Sequence, residues 1–583
     1  MDQEYLNSLR HSCAHLLAKA VLTLYPGAHN AIGPSIEYGF YQDFDMGEVK
    51  LSDADLPKIE AKMREILPTW KQFTFNEVTL DEAKKLFKRN PYKVELAIEF
   101  AGEGKKLTTN DPGDFLDLCK MGHAANPSKE MKHFKLLSVA GAYWRGNEKN
   151  KMLTRIYGTC WPTKNELAQY LAMLEEAKKR DHRKLGAELG LFVFSDLVGS
   201  GLPLFTPHGT IIRDVLDAYS QELRLRQGFQ RVWIPHLTKT ELYKISGHWD
   251  KFGEELLLVK SQETSDELVL KPMNCPHHQQ IYAARMHSYR ELPIKYLETT
   301  TIYRDEQAGE MLGLSRVRAI TQDDSHVFCR PDQIEAVYGM LISIVQEFYG
   351  TIGMKLKARL SYRDPEQSAQ YLGSSALWDT AQAIIAKVAQ EHQLDYYEAI
   401  GEAAFYGPKI DFMATDAIGR QWQVATPQLD FVQPQRFGLK YTDADGSDKT
   451  PVMIHFALMG SIERFLSVYL EHTVGVFPVW LAPVQVQIIS VGADHVTYCQ
   501  QLGEQLTAEG IRVELSVHND TVGKKIRNAA KAHVPYMLVI GDKEMNSDML
   551  HVRVRGQDRV IEYSHQDFIV LVLQQIKTRA NQL

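Results

Sequence analysis

The stretch SRVRAITQDDSH, residues 315 to 326, constrains this chain more than any other. In a strand, alternate side chains share a face, so Arg316, Arg318, Ile320, Gln322, Asp324 and His326 line up on one side. Val317, Ala319, Thr321, Asp323 and Ser325 occupy the other. A solvated face is one explanation of the first set. Upstream, KYLETTTIYRDE repeats the alternation with Glu298, Thr300, Ile302 and Arg304, and EQAGEMLGL reads as the connection between two antiparallel strands. Arginines at 304, 316 and 318 on one sheet surface suit phosphate, because the guanidinium fork matches two phosphate oxygens. Acidic groups beside them suit an amine or a metal, so the surface points to a nucleotide together with an amino compound.

At 583 residues the chain exceeds what one hydrophobic core supports, and roughly three or four domains are expected. With 44% hydrophobic and 24% charged residues it lies far from disorder. No run of about 18 apolar residues occurs, and MDQEYLNSLRHS has neither a basic leader nor an apolar segment, so a cytoplasmic protein without a membrane anchor is expected. The six cysteines, Cys13, Cys119, Cys160, Cys275, Cys329 and Cys499, are too scattered for a secreted disulfide framework and read as thiols or ligands. A net charge of −7 does not advertise a polyanionic partner. Only KKRDHRK (178 to 184) and KKIRNAAKAH (524 to 533) are locally basic, and each alone reads as a solvated helix face.

Residues 1 to 162 mix helical runs with short strands and end at a boundary marked by Pro162. A single connecting helix is expected through KNELAQYLAMLEEAKKRDHRKLGAELG, with 163 to 187 as linker. From 188 to 480, strands and helices alternate without a regular period, which favours a mostly antiparallel sheet. From 481 to 583 the alternation is regular and reads as a small α/β domain. Near the start, HSCAH sets His11 and His15 on one helical face, open to reading as metal ligands, as hydrolytic groups or as surface histidines.

The strand, loop, strand ending its first arm in TIYRDE resembles motif 2 of the class II aminoacyl-tRNA synthetases. GSIERF, with Arg464, resembles their motif 3, and Pro235 in GFQRVWIPHL their motif 1 proline. KPMNCPHH, TQDDSH, GEAAFYGPKIDF, QLDF and PVMIH follow in the order of the threonyl-tRNA synthetase family, and HSCAH with DLCKMGH resembles its N-terminal editing domain. The resemblance implies an α+β multidomain chain. Its parts are an α+β editing domain (1–162), a linker helix (163–187), a class II antiparallel-sheet catalytic domain (188–480) and an α/β anticodon-binding domain (481–583).

The same resemblance implies the chemistry: ATP with magnesium and L-threonine form a threonyl-adenylate, and the threonyl group passes to tRNA(Thr) on a homodimer. It implies one zinc per subunit on Cys275, His326 and His455, whose spacing resembles no compact zinc finger and would not have grouped them. Read alone, Cys275 is equally a buried thiol. Three ligands leave tetrahedral zinc an open position, which the family uses for the amino group and hydroxyl of threonine. A site built to satisfy a hydroxyl rejects valine by about 10⁴ to 10⁵-fold, whereas serine lacks only a methyl and is rejected by roughly 10 to 200-fold. A separate hydrolytic site is the physical remedy.

By resemblance Arg304 holds the α-phosphate, Arg316 and Arg464 bind the triphosphate and adenine region, and Gln322 sits near the reacting carboxylate. Asp324 fixes the threonine hydroxyl, while Tyr406, Lys409 and Gln428 line the pocket. The editing set is His11, His15, Asp117, Cys119 and His123, equally legible as four metal donors or as a packed cluster without chemistry; in the family it hydrolyses Ser-tRNA by water activation. Asn519, Glu544 and Arg553 align with anticodon-reading positions, although Asn519 in HNDTVG is by itself a turn residue. Val424, Phe456 and Gln42 depart from the family pattern; the last stands where GFYYD would have a tyrosine and implies slower editing. The family's usual small ubiquitin-like N-terminal domain is expected to be missing. The competing expectations are a synthetase-like protein that binds RNA for regulation and a zinc hydrolase centred on HSCAH, which lacks the glutamate of HExxH enzymes.

Overall fold

The structure, a computed structural model, describes residues 3–119, 122–147, 149–307 and 309–583. The chain divides into two compact units, residues 1–176 and 177–583.

In the first unit the helix Gln3–Leu24 lies on a five-stranded antiparallel sheet whose main strands are Gly39–Asp45, Met152–Trp161 and His133–Tyr143. Its apolar stripe, including Leu9, Cys13, Leu16 and Leu17, is buried against Phe40, Phe44, Ile156 and Cys160. A second sheet, Thr74–Val78, Leu107–Asp111 and Asp117–Leu118, is backed by Pro91–Gly102, a helix that Asn90 caps by accepting from Lys93 N at 3.3 Å with Pro91 at its first position. Gln42, buried within Gly39–Asp45, reaches over Gly33, where a β-carbon would sit 1.9 Å from its Oε1.

The second unit is built on a nine-stranded sheet. Four strands carry the site: β1 (Ile294–Tyr303), β2 (Ala319–Cys329), β3 (Thr426–Asp430) and β4 (Val452–Ser461), arranged β1-β2-β4-β3 and antiparallel throughout. Only the outermost pairings, Gln230–Arg231 with β1 and Lys355–Tyr362 with Tyr396–Ile400, are parallel. The helices Pro207–Arg226, Ile334–Ile352 and Ile462–Thr473 contribute to one core with Leu297, Val327, Ile454 and Phe456.

After Pro483 the strands Val486–Ser490, Val513–Ser516 and Tyr536–Ile540 pair in parallel, and Met549–Val554 and Val560–Ser564 extend the sheet antiparallel. Arg512 ties this sheet to the preceding segment, donating to Ala482 O at 2.9 Å and Trp480 O at 2.7 Å.

Two expectations are corrected. The connecting segment is not one helix: Lys164–Lys179 and His182–Glu188 are separate. Asp181 leaves helical geometry and its carboxylate accepts from Arg183 N at 2.8 Å, while His182 turns inward to Glu471 at 2.7 Å. The first set on β2 lines a cavity and is not a plain solvated face. Asp323 and Ser325 on the reverse side are fully buried and meet Arg224, itself 0% exposed, whose Nη1 donates to Asp323 O and Ser325 Oγ, each at 2.9 Å. Polar residues are tolerated on both faces because each finds a partner.

Candidate active site

Strands β2, β3 and β4, with Arg304 just past the end of β1, line a cavity of about 630 Å³. Gln322, Asp324 and His326 of β2 project into it, together with Gln428 of β3, His455 of β4, Tyr406, and the arginines 304, 316 and 464. The alternation in the sequence therefore identifies the correct face. Arg316 and Arg318, however, lie in the loop before β2 rather than on it. Arg316 donates to Glu306 at 2.6 Å and Glu310 at 2.8 Å, and Arg318 holds the Glu306 carbonyl. Arg304 rests over the Phe252 ring at 4.9 Å with its Nε unpartnered. A half-buried cation whose Nε has no acceptor is suited to a phosphate.

At the inner end of the cavity Cys275, His326 and His455 place their donor atoms within 4.8 Å of one another, and all three residues are buried. Cys275 opens the helix Cys275–Ala283, and His326 and His455 are register partners on β2 and β4. His326 Nε2 lies 3.1 Å from His455 Nδ1. The other nitrogen of His455 meets Asp430 at 2.9 Å, and the Tyr406 ring stacks on His455 with centroids 4.8 Å apart. Burial pushes the Cys275 thiol well above its ordinary range and, with the neighbouring histidines His278 and His455, holds His326 well below its own. A soft thiol, two imidazoles and a carboxylate orienting one of them are a donor set that fits zinc, and a bound cation would reverse the thiol's preference.

Asp324 stands beside this set. Its Oδ2 accepts from Asn274 at 3.0 Å, and Asn274 also reaches Gln322 Oε1 at 3.4 Å. Burial raises the Asp324 carboxyl above its ordinary range. Val424 and Phe456 both line the cavity wall. Lys409 does not: it sits opposite Gln428, and its ammonium lies 3.1 Å from Asp411. Tyr406 instead donates directly to Gln428 Oε1.

The sequence reading passed over Asn274, His278, Asp430 and His248. His248 is fully buried, with Nε2 3.7 Å from Cys275 Sγ. Asn274 and His278 flank Cys275 in KPMNCPHH and Asp430 ends QLDF, so adjacency to recognised residues was the available signal.

In the first unit, His11, His15, Cys119 and His123 converge, with donors again within 4.8 Å of one another. Cys119 Sγ lies 3.0 Å from His11 Nε2, 3.1 Å from His15 Nε2 and 3.8 Å from His123 Nε2. Asp117 is 3.3 Å from His15 Nδ1 and 2.7 Å from Lys93, and also accepts from Asn30 at 3.2 Å. Burial opposes every charge here, yet the charges support one another. Cys119 is brought down to about 3 by His15 and by its histidine hydrogen bonds. His15 is brought up to about 9 by Cys119 and Asp117, and Asp117 down to about 2 by Lys93 and His15. His123 is held at about 4, first by burial and then by the charge of His15. The cluster therefore pairs a thiolate with an imidazolium beside a neutral imidazole. Gln42 hydrogen-bonds to the carbonyl of Asp43 at 3.3 Å, on the strand beneath.

The proposed anticodon residues sit apart in the terminal domain. Asn519 is exposed in the loop before the helix Val522–Lys531, Arg553 is exposed on Met549–Val554, and Glu544 accepts from Gly541 N at 3.0 Å and lies 3.3 Å from His551. The basic helix is only partly a surface charge, since Lys525 is buried and donates to Ser490 O at 2.9 Å. Among the described residues no helix is long and apolar enough to cross a membrane.

Comparison with known proteins places these sites in context. A family model described as the tRNA synthetase class II core domain (G, H, P, S and T) matches residues 257–473, and one described as the anticodon binding domain matches 485–575. The threonine–tRNA ligase of Gloeobacter violaceus is 46% identical over 563 residues, covering 95% of this chain and 89% of that protein. That of Rubrobacter xylanophilus is 44% identical over 559 residues, covering 95% and 86%. A crystal structure of the RNA binding domain of threonyl-tRNA synthetase from Cryptosporidium parvum Iowa II superposes with a TM-score of 0.65 at 33% identity, covering 69% of this chain and 99% of that one.

Proposed function

Since the chain belongs to the threonine–tRNA ligase family of class II synthetases, we propose that it joins L-threonine to tRNA(Thr) through a threonyl-adenylate and clears Ser-tRNA(Thr) in its first unit. The observation that carries the first half is the buried set Cys275, His326 and His455 opening, beside Asp324, onto a cavity rimmed by Arg304, Arg316 and Arg464.

In this reading the threonine carboxylate oxygen attacks the α-phosphorus of magnesium-bound ATP and pyrophosphate leaves. Positioning and charge neutralisation dominate such a step. Arg304 holds the α-phosphate, its unpartnered Nε directed to that use. Arg316 and Arg464 bind the triphosphate and adenine region, Arg316 exchanging Glu306 and Glu310 for phosphate oxygens. Gln322 orients the reacting carboxylate, Asp324 accepts from the threonine hydroxyl, and Tyr406 with Gln428 closes the pocket wall. Zinc bound by Cys275, His326 and His455 would supply a Lewis-acid contact to the amino nitrogen and the hydroxyl.

In the first unit, His123 is neutral and able to accept a proton from water, while Asp117 and Lys93 fix His15 against the Cys119 thiolate. That division of charge supports metal-free hydrolysis of the seryl ester. In the second unit Asn519, Glu544 and Arg553 present polar groups suited to anticodon bases. The expected assembly is a cytoplasmic homodimer, in which Trp233, 78% exposed beside Pro235, would give a second copy an apolar surface to cover.

Threonine-dependent exchange between ATP and pyrophosphate tests the synthetic half, and deacylation of Ser-tRNA(Thr) tests the other. No exchange from zinc-replete protein would leave the regulatory RNA-binding reading.

A further inference from the structure

The two histidines of the metal-binding set are supported unequally. His455 faces the set with Nδ1, and its Nε2 is fixed by Asp430, whose Oδ1 in turn accepts from Val432 N at 2.7 Å and Gln433 N at 2.9 Å. His326 faces the set with Nε2, and its Nδ1 lies 2.8 Å from Nδ1 of another histidine, His278. His278 is 0% exposed, and its remaining nitrogen has no hydrogen-bond partner. That Nε2 lies 3.6 Å from Glu298 Oε2, which is buried and likewise unpartnered. The other oxygen of Glu298 accepts from Ile234 N at 2.9 Å, one residue before Pro235.

We propose that His278 is a positioning residue that selects the ligating tautomer of His326, with Glu298 selecting the tautomer of His278. This rests on the metal reading of Cys275, His326 and His455 given above. The proton count has two solutions. If His278 carries its proton on Nε2, directed at Glu298, its Nδ1 is an acceptor; His326 must then carry its proton on Nδ1, which leaves the Nε2 lone pair facing the metal position. If His278 carries its proton on Nδ1, it donates to His326 Nδ1; the His326 proton then sits on Nε2 and blocks ligation. A carboxylate opposite His278 Nε2 favours the first solution. Two unpartnered buried polar atoms facing each other are costly, and a contraction of about half an ångström would join them in an ordinary hydrogen bond. The orphan pair is thus a latent contact that completes when His326 Nε2 is engaged, and it runs from the metal set to the backbone at Ile234.

The test is metal affinity, measured on the full chain by competition with a chromophoric zinc chelator, together with the visible spectrum of the cobalt-substituted protein. His278→Ala and Glu298→Gln should each weaken zinc binding by about 10 to 100-fold, as removal of such outer partners does. They should also shift the cobalt bands, while the melting temperature of the zinc-free protein stays within a few degrees of wild type. His278→Asn, whose Oδ1 can accept in place of Nδ1, should recover most of the affinity. Unchanged affinity and spectra in His278→Ala and Glu298→Gln, with zinc still lost in Cys275→Ala, would overturn this inference alone. Zinc binding as tight in Cys275→Ala as in the wild type would overturn the metal reading beneath it. Affinity loss that His278→Asn fails to recover, matched by an equal fall in zinc-free stability, would assign His278 to packing and reject the tautomer role.

Discussion

Asp430 is the fixed point of the set Cys275, His326 and His455: its carboxylate meets His455 Nε2 at 2.9 Å and is itself held by the backbone N–H groups of Val432 and Gln433. The carboxylate keeps the His455 proton on Nε2, so that Nδ1 presents a lone pair inward. Asp430→Asn preserves shape but can present an amide N–H to that nitrogen. Zinc affinity should fall about 10 to 100-fold. Isothermal titration of zinc-depleted protein checks this, and an affinity equal to wild type would contradict it.

In the proposed function Asp324 accepts from the hydroxyl of threonine; its carboxylate is braced by Asn274. A hydrogen bond to a charged group contributes about 1.5 to 3 kcal/mol, equivalent to roughly 10 to 150-fold. Asp324→Asn should lower kcat/KM for threonine in the exchange reaction by that factor and leave the KM for ATP within about twofold. An equal loss for both substrates would mean that the residue supports the pocket as a whole.

Arg224 and Asp323 are a buried pair behind β2, and Asp323 also accepts from Met459 N at 3.0 Å and Gly460 N at 3.1 Å, both in the cavity wall. Burial holds the Asp323 carboxyl up at about 6, against the pull of Arg224. A raised carboxyl stabilises the fold below its ordinary value near 3.8 and loses that contribution as pH rises through about 6. Arg224→Met removes the compensating charge and raises the group further. The variant should lose about 3 to 5 kcal/mol at pH 8, less at pH 6 and least near pH 4, where the carboxyl is neutral and only the hydrogen bonds of Arg224 to Asp323 O and Ser325 Oγ are missing. Thermal melts at the three pH values check the trend; a loss independent of pH would contradict it.

Cys119 and His15 form the charge pair of the first unit. The thiolate, depressed to about 3, persists as pH falls to that value, and the imidazolium, raised to about 9, persists until pH rises through it. Alkylation of Cys119 by iodoacetamide should therefore be nearly flat from pH 5 to 8, whereas an ordinary thiol with a pKa of about 8.5 gains roughly tenfold per unit there. Ser-tRNA deacylation should hold the same plateau and decline above about pH 9. A tenfold rise per unit in labelling would mean that the pair is uncharged.

How much of this was legible in the sequence depends on distance along the chain. The cavity face of β2 was readable because strand alternation is local, and so were the terminal α/β pattern and HSCAH. The grouping of Cys275 with His326 and His455 came from family resemblance, since a sheet brings them together across separations that no spacing rule covers. The partner of the reverse face of β2 was not legible, because Arg224 lies on a helix roughly a hundred residues earlier. The break at Asp181 was hidden by good helical periodicity on both sides, with the inward turn of His182 set by Glu471. Lys409 was drawn toward Asp411 by an ion pair visible only once the strands are adjacent. His278 touches His326, Asp430 touches His455 and Glu298 touches only His278, so these three became visible only as distances.

The most direct test of the central claim, that Cys275, His326 and His455 hold the metal through which threonine is chosen, is the ratio of threonine to valine in ATP–pyrophosphate exchange. It should be measured on protein stripped of zinc, reloaded with zinc, and carrying His455→Ala. The account predicts that stripped and substituted proteins lose threonine-dependent exchange. Reloading should restore it in the wild type with a preference over valine of about 10⁴-fold or more. Exchange that survives stripping or His455→Ala with its preference intact would contradict the account.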